Sequence, residues 1–178
     1  MIICINSNNL ETLEQQLSFI GANLYGEHDI YVYSTSNSLM NKYDTIKKCT
    51  ESDFIKELHF REKKRLLHDL NFYTSKKRSE QNWVFLLKEN EHLSSLLTQQ
   101  LPIVLGTYEA NNYIDVLTLP RAYIKGGEWI NQEDPRYQPS IVRIGSGCVW
   151  KDEENPTIYN YKKEVKLQER EFSLLEFE

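Results

Sequence analysis

The apolar run WVFLL, residues 83 to 87, stops at a knot of charged and polar groups: Lys88, Glu89, Asn90 and Glu91. A buried strand that ends in carboxylates is one way to hold a metal ion or a phosphate. Hard divalent cations such as Mn²⁺ and Mg²⁺ take oxygen ligands. Glu89 and Glu91 stand two residues apart, and side chains two apart on a strand share a face. That pair is therefore the candidate metal site. The plainer alternative is that Glu91 opens the next helix, where a carboxylate suits the positive end of the dipole. Lys88 brings positive charge to the same place, as a point charge and not as an organising centre.

Other polar groups fall at strand ends. Asn6 and Ser7 close the first apolar segment, MIICIN, and Ser34, Thr35 and Ser36 follow DIYVYS. Their amide and hydroxyls can donate to phosphate or ribose, and in open α/β sheets ligands bind beyond the C-terminal strand ends. A polar turn after a strand also forms without any ligand. Lys63, Lys64 and Arg65, with 76 to 78 (KKR), are the one basic concentration, diluted by Glu57, Glu62 and Asp69. It reads as a solvated helix face. His68 beside Asp69 suggests a dyad, but adjacent helix residues do not face each other. Trp129 and Trp150 can stack on a sugar or pack at the edge of a core.

The elements that must position these groups follow from periodicity. MIICIN reads as a buried strand. Leu10, Leu13, Leu17, Ile20 and Leu24 have helical spacing, with Asn8 or Asn9 as cap. Gly26 ends that helix and DIYVYS is a second strand, so the opening is a βαβ unit with parallel strands. Between Asn41 and Arg78 the chain is mostly polar, and DFIKELHF and REKKRLLHDLNFYTSKKR read as helices. WVFLL is a central strand, HLSSLLTQQL a helix, and IVLGTY and NYIDVLTLPRAYI further strands. Pro120 marks a break or an edge position. GGEWINQEDPRYQP reads as a long polar loop and SIVRIG as a strand, and CVWKDEENP runs out into a turn.

The chain has 178 residues, 40% of them apolar and 26% charged, which suits one soluble domain with a sizeable core. A net charge of −5 argues against a general nucleic-acid binder. No stretch approaches the roughly 20 apolar residues that span a bilayer, and the opening nonapeptide does not resemble a signal peptide. The expectation is a cytoplasmic protein. Cys4, Cys49 and Cys148 lack metal-site or redox spacing and read as buried free thiols.

Taken in order, INSNNLETLEQQL, DIYVYSTSNS, WVFLLKENEHLS, LPRAYIKGGEWI and PRYQPSIVRIGSG resemble the GT-A fold glycosyltransferases of family two, the branch that decorates lipopolysaccharide cores. The resemblance runs from residue 1 to about residue 154. It implies a single GT-A-like, Rossmann-like α/β domain over 1–158, with a mixed, mostly parallel sheet flanked by helices. Residues 159–178 would form a tail packed on the domain or on a partner.

The resemblance also implies roles. A nucleotide sugar would lie along Asn6, Ser7, Ser34, Ser36, Lys88 and Asn90. The catalytic base that takes the acceptor's proton would be Asp152 or Glu153, for which a solvated turn is the plainer reading. A transferase of this type holds its diphosphate leaving group with Mn²⁺ or Mg²⁺. The chain departs from the family pattern at four positions. Ser34 replaces the aspartate that reads the base, Lys88 and Asn90 the paired metal aspartates, and Arg136 a further aspartate. Two expectations follow: a glycosyltransferase of altered donor site, or an inactive GT-A fold serving as a binding or structural module among other protein subunits.

Overall fold

A computed structural model describes residues 1–36, 39, 41–42, 46–47, 54–76, 82–109, 114–126, 128–130, 136–168 and 173–177. Strand β1 (Ile2–Asn6) leads through Ser7 to helix α1 (Leu10–Asn23) and strand β2 (His28–Ser34). Asn9 is the cap of α1: its Oδ1 accepts from the Thr12 N–H at 3.2 Å. Leu13, Leu17 and Ile20 face inward as their spacing predicts. Gly26 holds φ at 109°, a conformation that suits glycine, and so turns the chain back into β2. β1 and β2 are parallel, with Ile3 opposite Ile30.

Strand β3 (Ile55–Glu62) then runs parallel to β2 at one edge of the sheet. The sequence reading had this segment as a helix. Its true period is two: Leu58 and Phe60 pack on one apolar layer, while His59 stacks on Tyr31 and Arg61 lies over the Tyr31 ring on the other side. The charges on alternate positions keep an edge strand from pairing further. A short 3₁₀ turn (Lys63–Arg65) and helix α2 (Leu66–Ser75) follow, as the helical reading of that segment expects; Cys49, Lys77 and Arg78 lie outside the described residues.

Strand β4 (Trp83–Lys88) pairs with β1 in parallel. Strand β5 (Glu91–Leu93) precedes helix α3 (Ser95–Glu109), which is capped by Ser94 through the Leu97 N–H at 3.2 Å. Glu91 thus begins a strand and not a helix. IVLGTY is the second half of α3, although Ile103 and Val104 favour strands and Pro102 lacks a donor. The helix continues because Leu97, Leu101 and Leu105, four apart, all bury on the core.

The rest of the chain completes the sheet. Strands β6 (Val116–Lys125), β7 (Glu128–Trp129), β8 (Arg136–Arg143), β11 (Glu164–Lys166) and β12 (Leu174–Phe177) join it, in the order β3-β2-β1-β4-β8-β6-β12-β5, with β7 and β11 also on β6. Part of the GGEW segment is therefore a hairpin, turned at Gly126, and not loop. Strands β9 (Val149–Lys151) and β10 (Thr157–Tyr159) form a separate two-stranded hairpin. Pro120 is tolerated inside β6 because it falls between two partners on one side: β11 ends opposite Thr118 and β12 begins opposite Arg121.

The architecture is an α/β sheet, mixed and mostly parallel, flanked by helices. Alternate residues face two apolar layers. Ile3, Ile5, Ile30, Val32, Phe85 and Leu87 meet α1 and α3; Cys4, Tyr33, Val84 and Leu86 meet α2 and the β9–β10 hairpin. Trp150 belongs to the second layer, 2% exposed, so it packs and does not present a stacking face. Cys4 and Cys148 are buried free thiols. Among the described residues no helix is long and apolar enough to cross a membrane.

Candidate functional site

The parallel strands β1, β2 and β4 all end at one edge of the sheet. Register sets Asn6 opposite both Tyr33 and Lys88. Asn6, Ser7, Ser34, Ser36, Lys88, Glu89 and Asn90 are therefore gathered along the C-terminal edge, where the fold places ligands. The residues along it also bind one another. Asn8 Oδ1 accepts from Ser34 Oγ at 2.9 Å, from the Thr35 N–H at 2.8 Å and from Thr35 Oγ1 at 2.9 Å. The Asn8 N–H donates to Glu89 Oε2 at 2.7 Å. Ser34 Oγ accepts from the Ser36 N–H at 3.0 Å. Ser7 is fully buried, and its hydroxyl donates to the Asn9 carbonyl at 3.1 Å.

The turn from β4 to β5 is held from beneath and from the side. Gln16, an inward position of α1, donates its Nε2 to the carbonyls of Lys88 at 2.8 Å and Glu91 at 2.7 Å. The Glu91 carboxylate is fully buried. One oxygen accepts from Arg121 Nη1 and the other from the Lys88 N–H at 3.0 Å. Arg121 Nη1 also donates to Glu176 Oε1 at 2.7 Å. Glu176 lies opposite Glu91 in the β12–β5 pair, and the Phe177 N–H donates to the Asn90 carbonyl at 3.0 Å. Burial lowers the pKa of Lys88, the positive charge of Arg121 lowers it further, and Glu176 raises it in part. Burial likewise lowers the pKa of Arg121 against the opposing pull of Glu176.

Glu89 and Glu91 thus do not face one point. Glu89 reaches across to the start of α1, whereas Glu91 points inward to a guanidinium. A divalent cation does not fit this turn: the Glu91 oxygens are sealed from solvent and neutralised, with Lys88 and Arg121 alongside. Among the described residues no three His, Cys, Asp or Glu side chains form a group that could hold a metal ion.

Asp152 and Glu153 lie in the β9–β10 turn. Asp152 adopts φ of 73° and its Oδ1 accepts from the N–H groups of Glu154 at 3.0 Å and Asn155 at 3.2 Å, so its carboxylate organises the turn. Glu153 and Glu154 line a cleft of about 180 Å³ with Thr35, Lys63, Lys64 and Leu67. Lys63 pairs with Glu154 at 3.0 Å across it. The structure therefore brings Glu153 close to the end of β2 and leaves Asp152 in its turn.

Sequence reasoning missed the roles of three residues at these centres and set a fourth aside. Asn8 was weighed only as a helix cap. Gln16 is a polar residue on an apolar helix face, and Arg121 a charge inside an apolar strand; both were visible signals that a buried group needs a partner. Asp69, weighed only as half of a dyad with His68, is the one set aside. It accepts from Tyr33 Oη at 3.0 Å and from Arg61 Nη1 at 3.1 Å, and contacts His68 Nδ1 at 3.1 Å. Side chains of adjacent residues do meet here.

No protein-family model matches the sequence, and no curated protein matches it. Among solved structures, the chain is similar to residues 1–349 of TarS from S. aureus, at 11% identity and a TM-score of 0.46, over 74% of this chain and 38% of that one. The same TarS fragment in complex with UDP gives 12% identity and a TM-score of 0.47, over the same shares. A cytidylyltransferase from Leptospira borgpetersenii is similar at 15% identity and a TM-score of 0.44, over 80% of this chain and 58% of that one. The chain spans less than two thirds of each of these neighbours, and likeness at this level carries no residue-by-residue correspondence.

Proposed function

We propose that this chain is a glycosyltransferase-like α/β module of GT-A type that does not carry out metal-dependent sugar transfer and serves as a binding or structural component beside other protein subunits. The observation that supports this most is the buried Glu91–Arg121 pair. Where a transferase of this type would hold a cation, the chain has an ion pair that closes the β4–β5 turn. The hydrogen bonds that Ser34 and Thr35 donate to Asn8 support it as well, because they use the hydroxyl donors that a phosphate or ribose would need. The test is calorimetric titration of UDP and GDP with and without Mn²⁺. No metal-dependent heat is expected. Mn²⁺-dependent binding that disappears in Glu89→Ala would overturn the reading.

A second reading, transfer without a metal, is favoured by one observation. Lys88 stands half-buried at the end of β4, and Glu153 lines a cleft next to the end of β2. It calls for binding of a nucleoside diphosphate in the absence of Mn²⁺, lost in Lys88→Ala, followed by turnover of a nucleotide sugar that Glu153→Gln abolishes.

A further inference from the structure

Two helix faces on opposite sides of the sheet are counterparts in charge and in shape. Helix α2 packs on the second apolar layer through Leu66, Leu70 and Tyr73. Its outward side carries Arg65, His68, Phe72 and Lys76, three or four residues apart and all exposed, which makes one stripe from cap to cap. Phe72 stands within the stripe, 51% exposed, with the Lys76 ammonium 5.5 Å from its ring centre. Aromatic rings and arginine are the groups that interfaces concentrate. Arg65 gains nothing from the helix itself, because it stands at the positive end of the dipole. Helix α1 packs on the first layer. Along its outward side runs an open groove of about 660 Å³, lined by Glu11, Glu14, Ser18, Phe19 and Ala22 among others. The acids lie toward its N-terminal end, and Phe19 and Ala22 give it an apolar surface toward the other. Arg65, His68 and Phe72 are spaced three and four residues apart, and so are Glu11, Glu14 and Ser18; both sets span a rise of about 10 Å.

We propose that α2 of one molecule docks in the α1 groove of a second copy, with Phe72 seated against Phe19 and Ala22 and with Arg65 and His68 against Glu11 and Glu14. The two faces lie on opposite sides of the sheet, so the contact is head-to-tail. A pair still has one face of each kind open, and association continues into a ring or a filament. The inference rests on the module reading and makes one of the module's neighbours a further copy of the chain. That reading is tested by nucleotide and Mn²⁺, which this contact does not involve, so the two fail separately.

The experiment is sedimentation velocity of the full chain over a series of concentrations, for the wild type, Phe72→Ser and Glu11→Lys/Glu14→Lys. The average mass of the wild type is expected to rise with concentration, and each variant alone to stay monomeric. Should either variant fail to fold, Arg65→Glu, which suits the α2 dipole, and Glu11→Gln/Glu14→Gln take their places. The two variants are then mixed in equal amounts. One keeps its α2 stripe and the other its α1 groove, so a one-to-one dimer should form and growth should stop there. A variant that still associates alone, or a mixture that stays monomeric or grows past two, would overturn the proposal. So would a wild type that stays monomeric at every concentration. If that monomer binds an acidic, phenylalanine-containing peptide and Phe72→Ser abolishes the binding, the stripe belongs to a different protein partner.

Discussion

Two buried carboxylates anchor this fold, and they are treated differently. Glu91 has no exposed surface, and its partner Arg121 has a side chain only 4% exposed. Asp69 is nearly as buried, at 8%, but its partners lead outward: the Arg61 side chain is 30% exposed and that of His68 is 75% exposed. Glu91 lies just beyond the C-terminal end of β4, and Asp69 is on the buried face of α2. A sealed carboxylate recovers its desolvation cost only through its few fixed partners, here Arg121 and the Lys88 N–H, so loss of the guanidinium is severe. A vented one can take water in place of a lost partner. The edge where chemistry would be expected is thus the rigid part of the molecule, and the layer without an expected role is the adaptable one.

The largest effect should come from breaking the sealed pair. Arg121→Met leaves Glu91 buried and uncompensated and is expected to cost about 3–5 kcal/mol in denaturant unfolding. Replacing Glu91, Arg121 and Glu176 together by Leu, Met and Leu should restore most of that loss, because a well-packed apolar trio has no desolvation cost. A loss below about 1 kcal/mol for Arg121→Met would mean that the corner is wet, and the contrast with Asp69 would disappear.

A third buried group, His28, sharpens the comparison because no acid pairs with it. Its side chain is buried, Nε2 lies 3.2 Å from the Leu24 carbonyl, and Nδ1 has no partner. Burial, aided by the nearby N-terminal ammonium, lowers its pKa from 6.5 to about 4. The folded state therefore binds its proton less readily than the unfolded one. Between the two values the unfolded chain carries the extra proton, so stability is complete above pH 6.5 and falls as pH drops toward 4. The loss attributable to His28 is about 3 kcal/mol at the acid end of that window. Unfolding curves of wild type and His28→Gln across the window check it: the wild-type slope should exceed that of the variant, and parallel slopes would refute the shift.

The contrast also explains what could be read in the sequence. Local pattern revealed β1, α1, β2 and β4: continuous apolar runs mark β1 and β4, which are buried on both faces, and residues three and four apart mark α1. The parallel βαβ opening followed from their order, and the mixed sheet was what the family resemblance implied. β3 was misread because its apolar content is low and its charges suit a helix surface as well as a strand edge. α3 was divided in two because Pro102, Ile103 and Val104 argue locally against the helix that Leu97, Leu101 and Leu105 sustain. The site was legible only in part. Asn6 and Ser34 come together through the βαβ unit, and Lys88 joins them because β4 pairs with β1. The corner of Glu91, Arg121 and Glu176 joins residues 30 and 55 apart in sequence and exists only because β12 pairs with both β5 and β6. Nothing local specifies that pairing.

The vented carboxylate gives the smallest effects and the finest test. Asp69→Asn keeps an acceptor for Tyr33 Oη but removes the charge facing Arg61, so a loss of about 1–3 kcal/mol is expected. His68→Ala should cost no more than about 0.5 kcal/mol, because the imidazole is mostly in solvent and its contact is screened. In the double variant the two losses should add, within about 0.5 kcal/mol. Additivity would mean that Asp69 depends on Tyr33 and Arg61 and that His68 only rests against it. A coupling above about 1 kcal/mol would place His68 inside the network, with Asp69 holding the imidazole as firmly as Glu91 is held by Arg121. The region under α2 would then be a second rigid centre, and its 520 Å³ cleft, lined by His68, Asn71 and Cys148, would be bordered by an oriented histidine.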